Sequence, residues 1–240
     1  MTKAALPSLA DQRQYWDERW DRQRLPNAFQ QRRGETVLAI LKARHLAHPE
    51  ILDFGCGTGW FTAELSRFGR ATGIDLSQTA IAHAKATYPH IPFIAANLLD
   101  VSFPAEQFDV VVSQEVLAHV EDPEAYLDII TRVLKPGGYL IITTANRLVM
   151  ERWDHGGPDP DAHIKLYPNG REFRRMLRRR FRVLQTTSIM PCGDRGFLRL
   201  VNSYKLNTTL GWVLARRYLE RIKEWAGLGY TLIALAQKRR

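Results

Sequence analysis

Glu50-Ile51-Leu52-Asp53-Phe54-Gly55-Cys56-Gly57-Thr58-Gly59-Trp60-Phe61 is the stretch whose reading decides the fold. An apolar run closes on Asp53, three glycines then alternate with other residues, and helix-compatible sequence follows. That is the outline of a buried parallel strand turning sharply into a helix. Glycines at a strand end allow positive φ and leave room for a ligand against bare main chain. The helix that follows offers unpaired N–H groups and a partial positive charge, which suits an anionic group. The turn is therefore expected to hold something small and partly anionic.

Outward from the turn, helices and strands alternate. Before it, Asp11–Arg22 reads as a short amphipathic helix in a region dotted with Tyr15, Trp16, Trp20 and Phe29. From Arg33 to Ala47, Val37, Ile40 and Leu41 fall at helical spacing, and Pro49 interrupts the run before a first strand at Ile51–Phe54. After it come a helix over Trp60–Phe68 and a second strand, Ala71–Ile74, ending in Asp75. Ser77 is placed to cap a helix through Ala80–Ala86, its hydroxyl accepting from a first-turn N–H. Ile91–Ala95 is a third strand, and Phe108–Ser113 a fourth, too apolar for an exposed edge. Asp122-Pro123 opens a helix to Val133, Lys135-Pro136-Gly137-Gly138 is a turn, and Tyr139–Thr144 is a fifth strand. This alternation implies parallel βαβ units with both faces covered.

The last third changes character. Arg147–Gly170 is rich in Pro, Gly and Asp and reads as a long loop, the kind that often carries function. Phe173, Met176 and Leu177 form the apolar stripe of a helix whose other faces carry arginines. Phe181–Ile189 and Gly229–Ala236 read as sixth and seventh strands. In the segment between them, Leu210, Val213, Leu214, Tyr218, Ile222 and Trp225 line one side of an amphipathic helix, expected to pack over the sheet edge.

The 240 residues allow one large domain, and 45% hydrophobic with 25% charged residues is ordinary for a globular protein. No apolar run is long enough to span a bilayer and the N-terminus lacks a signal-peptide core, so a cytoplasmic enzyme is expected. Two cysteines, Cys56 and Cys192, suggest neither a disulfide framework nor a metal cluster. The net charge of +9 is concentrated in Arg171, Arg174, Arg175, Arg178, Arg179, Arg180 and Arg182 and in the Lys238-Arg239-Arg240 tail; it is read as a solvated helix face, with nucleic acid or an anionic lipid surface as rivals.

The glycine turn does not follow Gly-x-Gly-x-x-Gly, and the Gly-Lys-Ser/Thr of a P-loop is absent. The remaining ligand of this size is the methionyl end of S-adenosylmethionine. Its carboxylate suits free N–H groups, and its amino group suits carbonyls and, through water, Asp53. Asp75, about 20 residues beyond the turn, can accept from ribose hydroxyls, with Leu76 beside it. Asn97 can reach the adenine amino group while Leu98 flanks the ring, and Gln114 borders the same crevice. All of them follow strand ends, where open α/β sheets bind ligands. His119 is the candidate general base, its ordinary pKa suiting proton acceptance near neutrality; a packing role beside the pocket is the alternative. His155, His163 and Glu115 are weaker candidates.

Ile51-Leu52-Asp53-Phe54-Gly55-Cys56-Gly57-Thr58-Gly59 resembles motif I of class I S-adenosylmethionine-dependent methyltransferases, and Asp75, Phe108-Asp109-Val110-Val111 and Leu134-Lys135-Pro136-Gly137-Gly138 occur in that family's order. The resemblance covers Glu50 to Asn146, and Gln114–Pro123, with His119, is most similar to the ubiquinone-biosynthesis type and related small-molecule methyltransferases. It implies a Rossmann-like doubly wound sheet of seven strands, six parallel and the seventh antiparallel, with helices on both faces. Gly55, Cys56 and Gly57 would bind the cofactor, and Tyr15 resembles an N-terminal tyrosine that closes over it. Two departures stand out: Asn97 where the family usually has Asp, and a helical insertion between strands six and seven where the connection is usually short.

The expected protein is thus a single methyltransferase domain: an N-terminal helical cap over residues 1–48, a cofactor-binding core over 49–146, and a substrate-side loop, helical insertion and last strands over 147–240. It is expected to methylate an oxygen or nitrogen of a small-molecule acceptor, without a metal. Methylation of RNA is a rival prompted by the arginines, but the Asn/Asp-Pro-Pro-Tyr signature of many nucleic-acid methylases is missing where Ser113-Gln114-Glu115-Val116 stands. A lipid-linked acceptor and a non-catalytic cofactor-binding protein are further alternatives.

Overall fold

The computed structural model describes residues 6–153, 163–211 and 216–240. Helix α1 (Leu9–Arg22) starts at Ser8, whose hydroxyl accepts from the Asp11 N–H while Asp11 accepts from the Ser8 N–H. Helix α2 (Ala28–Lys42) starts the same way, with Asn27 and Gln30 capping each other. This box sets the start of α2 ahead of the expected Arg33. The expected alternation follows: β1 (Glu50–Phe54), α3 (Trp60–Leu65), β2 (Arg70–Asp75), α4 (Gln78–Thr87), β3 (Phe93–Ala95), β4 (Phe108–Gln114), α5 (Pro123–Val133) and β5 (Leu134–Ala145). Ser77 caps α4 at 3.0 Å from the Ala80 N–H, and Asp122 caps α5 ahead of Pro123.

Lys135–Gly138 is a correction: these residues lie inside β5 rather than in a turn before it. Leu134 pairs with Phe108 and Tyr139 with Val110, so the four residues bulge opposite Asp109. Gly137 takes φ +78°, and Lys135 Nζ bonds both Asp109 oxygens at 2.9 and 2.8 Å. Nor is Arg147–Gly170 loop throughout. Asn146 caps a short helix α6 (Arg147–Met150), and α7 (Gly170–Arg178) begins behind a second capping box between Asn169 and Glu172.

Strand β6 (Phe181–Pro191), helices α8 (Gly196–Val201), α9 (Tyr204–Gly211) and α10 (Arg216–Trp225), and strand β7 (Gly229–Lys238) complete the chain. The sheet order is β3-β2-β1-β4-β5-β7-β6; β7 pairs antiparallel with both neighbours and the other pairings are parallel. Successive residues of the central strands serve opposite faces. Leu52, Val111, Leu140 and Ile142 join α5 and α7 in one core, whereas Ile51, Val110, Val112 and Ile141 join α2 and α3 in the other. Two buried faces explain why these strands read as unbroken apolar runs.

Two arginines of the α7–β6 corner, Arg179 and Arg180, pair with α5: Arg180 bonds Asp128 at 2.5 and 2.7 Å and Glu124 at 2.5 Å. Helix α10 does pack on β6, tied by the Ser188 hydroxyl to the Glu224 carbonyl at 2.7 Å. The face it buries differs from the expected one. Leu219 and Lys223 turn inward, while Tyr218, Ile222 and Trp225 are 44%, 53% and 83% exposed. Val213 and Leu214 lie outside the described residues. Among the described residues, no helix is long and apolar enough to cross a membrane.

Candidate active site

A cavity of about 690 Å³ opens at the carboxyl ends of β1, β2 and β4, beneath α1. Every residue expected to bind cofactor lines it, from Tyr15 through Gln114, as does His119.

Its floor is the glycine turn. Gly55, Gly57 and Gly59 take φ of 93°, 53° and 78°, the left-handed region where a side chain is strained. The N–H groups of Gly55 and Cys56 both donate to the Ile74 carbonyl, fastening the turn to β2. A Cβ on Gly57 would stand 2.8 Å from the Trp20 ring, so the missing side chain is also what lets α1 lie on the turn. The Gly57 N–H donates to Asp75 Oδ2 at 2.8 Å. Asp75 Oδ1 accepts from the Ser77 N–H at 3.0 Å. Asp17 of α1 bonds the Ser77 hydroxyl at 2.5 Å and the Thr79 N–H at 3.0 Å, which pins α1 to the start of α4. The Cys56 thiol is buried and held well above its usual pKa by desolvation, so it packs and does not react.

Asp53 is buried and accepts from the Thr62 hydroxyl at 2.7 Å. Burial pushes its pKa up to about 7, against the Thr62 hydrogen bond and with the help of the Asp75 charge. Desolvation also raises Asp75, opposed by the N–H groups of Ser77 and Gly57. Among the described residues, neither carboxylate has a salt-bridge partner; of the two arginines lining the cavity, Arg33 sits with Glu115 and Arg19 lies over the Trp16 and Trp20 rings. Asn97 donates to Asp100 at 2.9 Å and accepts from the Leu99 N–H at 3.3 Å, while Leu98 is buried and Leu76 half-buried at the rim.

Beyond the turn, Arg33 Nε donates to Gln114 Oε1 at 3.1 Å, and its Nη1 lies 3.6 Å from Glu115. Glu115 takes φ +58°, accepts from the Thr143 hydroxyl at 3.0 Å, and is raised in pKa by burial over the opposing effect of Arg33. A left-handed non-glycine residue at a cavity wall is backbone strain of the kind functional sites retain. Arg33 was not legible as a site residue: it lies on a helix of ordinary polarity, and its partners are far along the chain.

His119 ends a 3₁₀ turn, Leu117–His119. Its Nδ1 lies 2.6 Å from the Ile164 carbonyl, a group that can only accept, so Nδ1 carries a proton and donates it to that carbonyl. Trp16 and His163 meet the ring at 5.2 and 5.1 Å, and Tyr15 stacks on His163 at 4.2 Å. Phe29, Trp153 and Tyr230 form a second aromatic wall, with Tyr230 pushed up to about 12 by burial. Glu115 and His163 line the cavity as well; His155 lies outside the described residues. Among the described residues, no three His, Cys, Asp or Glu side chains are grouped to hold a metal ion.

These walls fit S-adenosylmethionine. Two buried carboxylates lacking a cation are compensated by a ligand with an ammonium group and hydroxyl donors. The glycine turn leaves the main chain without side chains beside them, and Leu76 and Leu98 would give the adenine an apolar border. Asp53 would face the ammonium, Asp75 the ribose, and Asn97 the base edge.

Residues 52–142 match the family described as a methyltransferase domain. A probable S-adenosylmethionine-dependent methyltransferase of Mycolicibacterium smegmatis is 34% identical over 49% of this chain and 46% of its own length. A ubiquinone biosynthesis O-methyltransferase of Rhizobium leguminosarum is 34% identical over 44% of each. The chain thus spans less than half the length of these relatives. In fold, it is similar to the N-methyltransferase NodS of Bradyrhizobium japonicum, solved with S-adenosyl-L-homocysteine: TM-score 0.65, 20% identity, covering 95% of this chain and 98% of that one. Residues 52–142 thus match a methyltransferase domain, and the chain has the sheet order and the strand-end cavity that its resemblance to class I S-adenosylmethionine-dependent methyltransferases implies.

Proposed function

We propose that the chain transfers a methyl group from S-adenosylmethionine to an oxygen or nitrogen of a small-molecule metabolite. The observation that carries this is the cavity itself, which brings the buried Asp53 and Asp75 beside the glycine turn together with His119, whose ring is held by the Ile164 carbonyl. When bound, S-adenosylmethionine supplies a methyl group already activated by its sulfonium. The chain's own task is to orient the acceptor, exclude water and take a proton. Orientation of two bound partners contributes up to roughly 7–11 kcal/mol. His119 Nε2 accepts the acceptor's proton, and the Ile164 carbonyl stabilises the resulting imidazolium. Trp16, Tyr15 and His163 shield that ring from solvent, and the Phe29–Trp153–Tyr230 wall suits an acceptor with an apolar face. The O-methyltransferase relative supports this acceptor class. In this reading residues 1–48 serve as a cap, since α1 forms the cavity's outer wall and is tied to α4.

Calorimetry with S-adenosylmethionine and S-adenosyl-L-homocysteine tests the first half: absence of binding to both removes the proposal. Incubation with labelled cofactor and fractionated cell extract tests the second. A labelled product of low mass supports it, whereas label confined to RNA or protein would transfer the reading to a macromolecular acceptor.

A further inference from the structure

The helices between β6 and β7 leave an unusual amount of apolar surface in water. Phe197, Leu200, Tyr204, Tyr218, Ile222 and Trp225 are 44%, 69%, 84%, 44%, 53% and 83% exposed. They sit on elements that hold one another. Asn202 donates to the Gly193 carbonyl at 3.3 Å, Asn207 links α9 back to the Val201 and Ser203 carbonyls at 3.2 and 2.8 Å, and α10 packs on both α9 and β6. Large apolar side chains left exposed in this number on one run of packed helices mark an interaction surface. Their inward partners explain why they point out: Leu198 and Leu219 fill the underside, and Lys223 lays its stem there with its ammonium on Glu220 at 3.0 Å.

The charge around them identifies the occupant. Residues 192–228 contain seven Lys or Arg against three Asp or Glu, and Arg199, Arg217 and Arg221 are exposed and alternate with the apolar residues along the sequence. Leu, Phe and Ile interleaved with arginine, together with Trp and Tyr, are the composition of a helix that lies in a bilayer interface. Among the described residues, no helix is long and apolar enough to cross one. We propose that α8–α10 form an interfacial surface that seats the protein on anionic lipid bilayers. The seat adjoins the cavity. Asp194 and Arg195 N–H groups donate to the Arg152 carbonyl at 3.0 and 3.1 Å, the Arg152 guanidinium lies over Phe197 at 5.8 Å, and the next residue, Trp153, is cavity wall. An acceptor partitioned into the bilayer surface would reach the cavity at that wall.

Vesicle co-sedimentation of the full chain tests this independently of turnover. Phosphatidylcholine vesicles with about 30% phosphatidylglycerol should pellet the protein, pure phosphatidylcholine should not, and salt of about 0.5 M should release it. Leu200→Ser combined with Trp225→Ser should weaken partitioning tenfold or more at unchanged Tm and unchanged S-adenosyl-L-homocysteine affinity. Arg199→Glu with Arg221→Glu should abolish the preference for anionic lipid. Wild-type protein remaining in the supernatant, or pelleting no better than the Leu200/Trp225 variant, overturns the proposal. So does a wild-type dimer, seen by light scattering, that these substitutions dissociate while vesicles bind neither form; that outcome assigns the surface to a second copy of the chain.

Discussion

Burial holds the Asp53 carboxyl at about 7, so near neutrality it is about half ionised in the unliganded protein. The proposed contact with the cofactor's ammonium needs the ionised form. Between pH 6 and 7.5 the ionised fraction rises about eightfold, and S-adenosylmethionine affinity should rise with it. Asp53→Asn should bind about tenfold or more weakly at pH 7.5 and lose this dependence, as calorimetry at several pH values will show. Affinity that is flat with pH in the wild type would rule out the contact. The same shift has a stability consequence of opposite sense. A carboxyl whose folded pKa exceeds its unfolded value contributes its full stability below about pH 4, and loses it as pH rises toward 7. Unliganded Asp53→Asn should therefore gain stability relative to wild type over that interval, by at most about 4 kcal/mol, and level off above it. At His119 the expected change is kinetic. His119→Ala should lower kcat by roughly 10²–10⁴ while cofactor affinity stays within about twofold, because in the proposed role the ring acts on the acceptor's proton. A similar loss of cofactor affinity would make His119 a packing residue.

The glycine turn and α1 form one closure at the level of elements. Gly57→Ala places a methyl group at φ +53° and 2.8 Å from the Trp20 ring, so the turn must strain or α1 must lift. Either way, cofactor affinity should fall tenfold or more, and amide exchange over α1 should quicken. Unchanged exchange and affinity would show that α1 does not rest on the turn. The strands, the Ser77 and Asp122 caps and the residues at strand ends were legible because each follows from local pattern: apolar runs, a capping hydroxyl, a glycine where the chain reverses. Three features were not, and each depends on contacts between distant positions. Lys135–Gly138 has turn chemistry, but its pairing across Asp109 makes it a bulge. The apolar stripe of α10 has helical period, yet period cannot say which face meets β6, and Lys223 takes a place that an apolar residue was expected to hold. Arg33 becomes a wall of the site only because β4 delivers Gln114 and Glu115 to it.

Across the molecule, the two main cores lie on the faces of the sheet, and neither includes a residue of α1. The sheet should therefore hold its stability when α1 is loosened, whereas a ligand bound between turn and helix must engage both. At a concentration of about a hundred times Kd, S-adenosyl-L-homocysteine should stabilise the wild type by about 2.7 kcal/mol, raising Tm by about 5–10 °C for a chain of this size. Asp17→Ala combined with Trp20→Ala removes the bonds to Ser77 and Thr79 and the ring over Gly57. Its unliganded Tm should lie within about 3 °C of wild type, while the ligand-induced rise at the same concentration should fall by half or more, through the weaker Kd. Scanning calorimetry with and without ligand separates the outcomes. A large loss of unliganded Tm would make α1 part of the fold's support, and an undiminished ligand shift would show that the cofactor is held by the sheet edge alone.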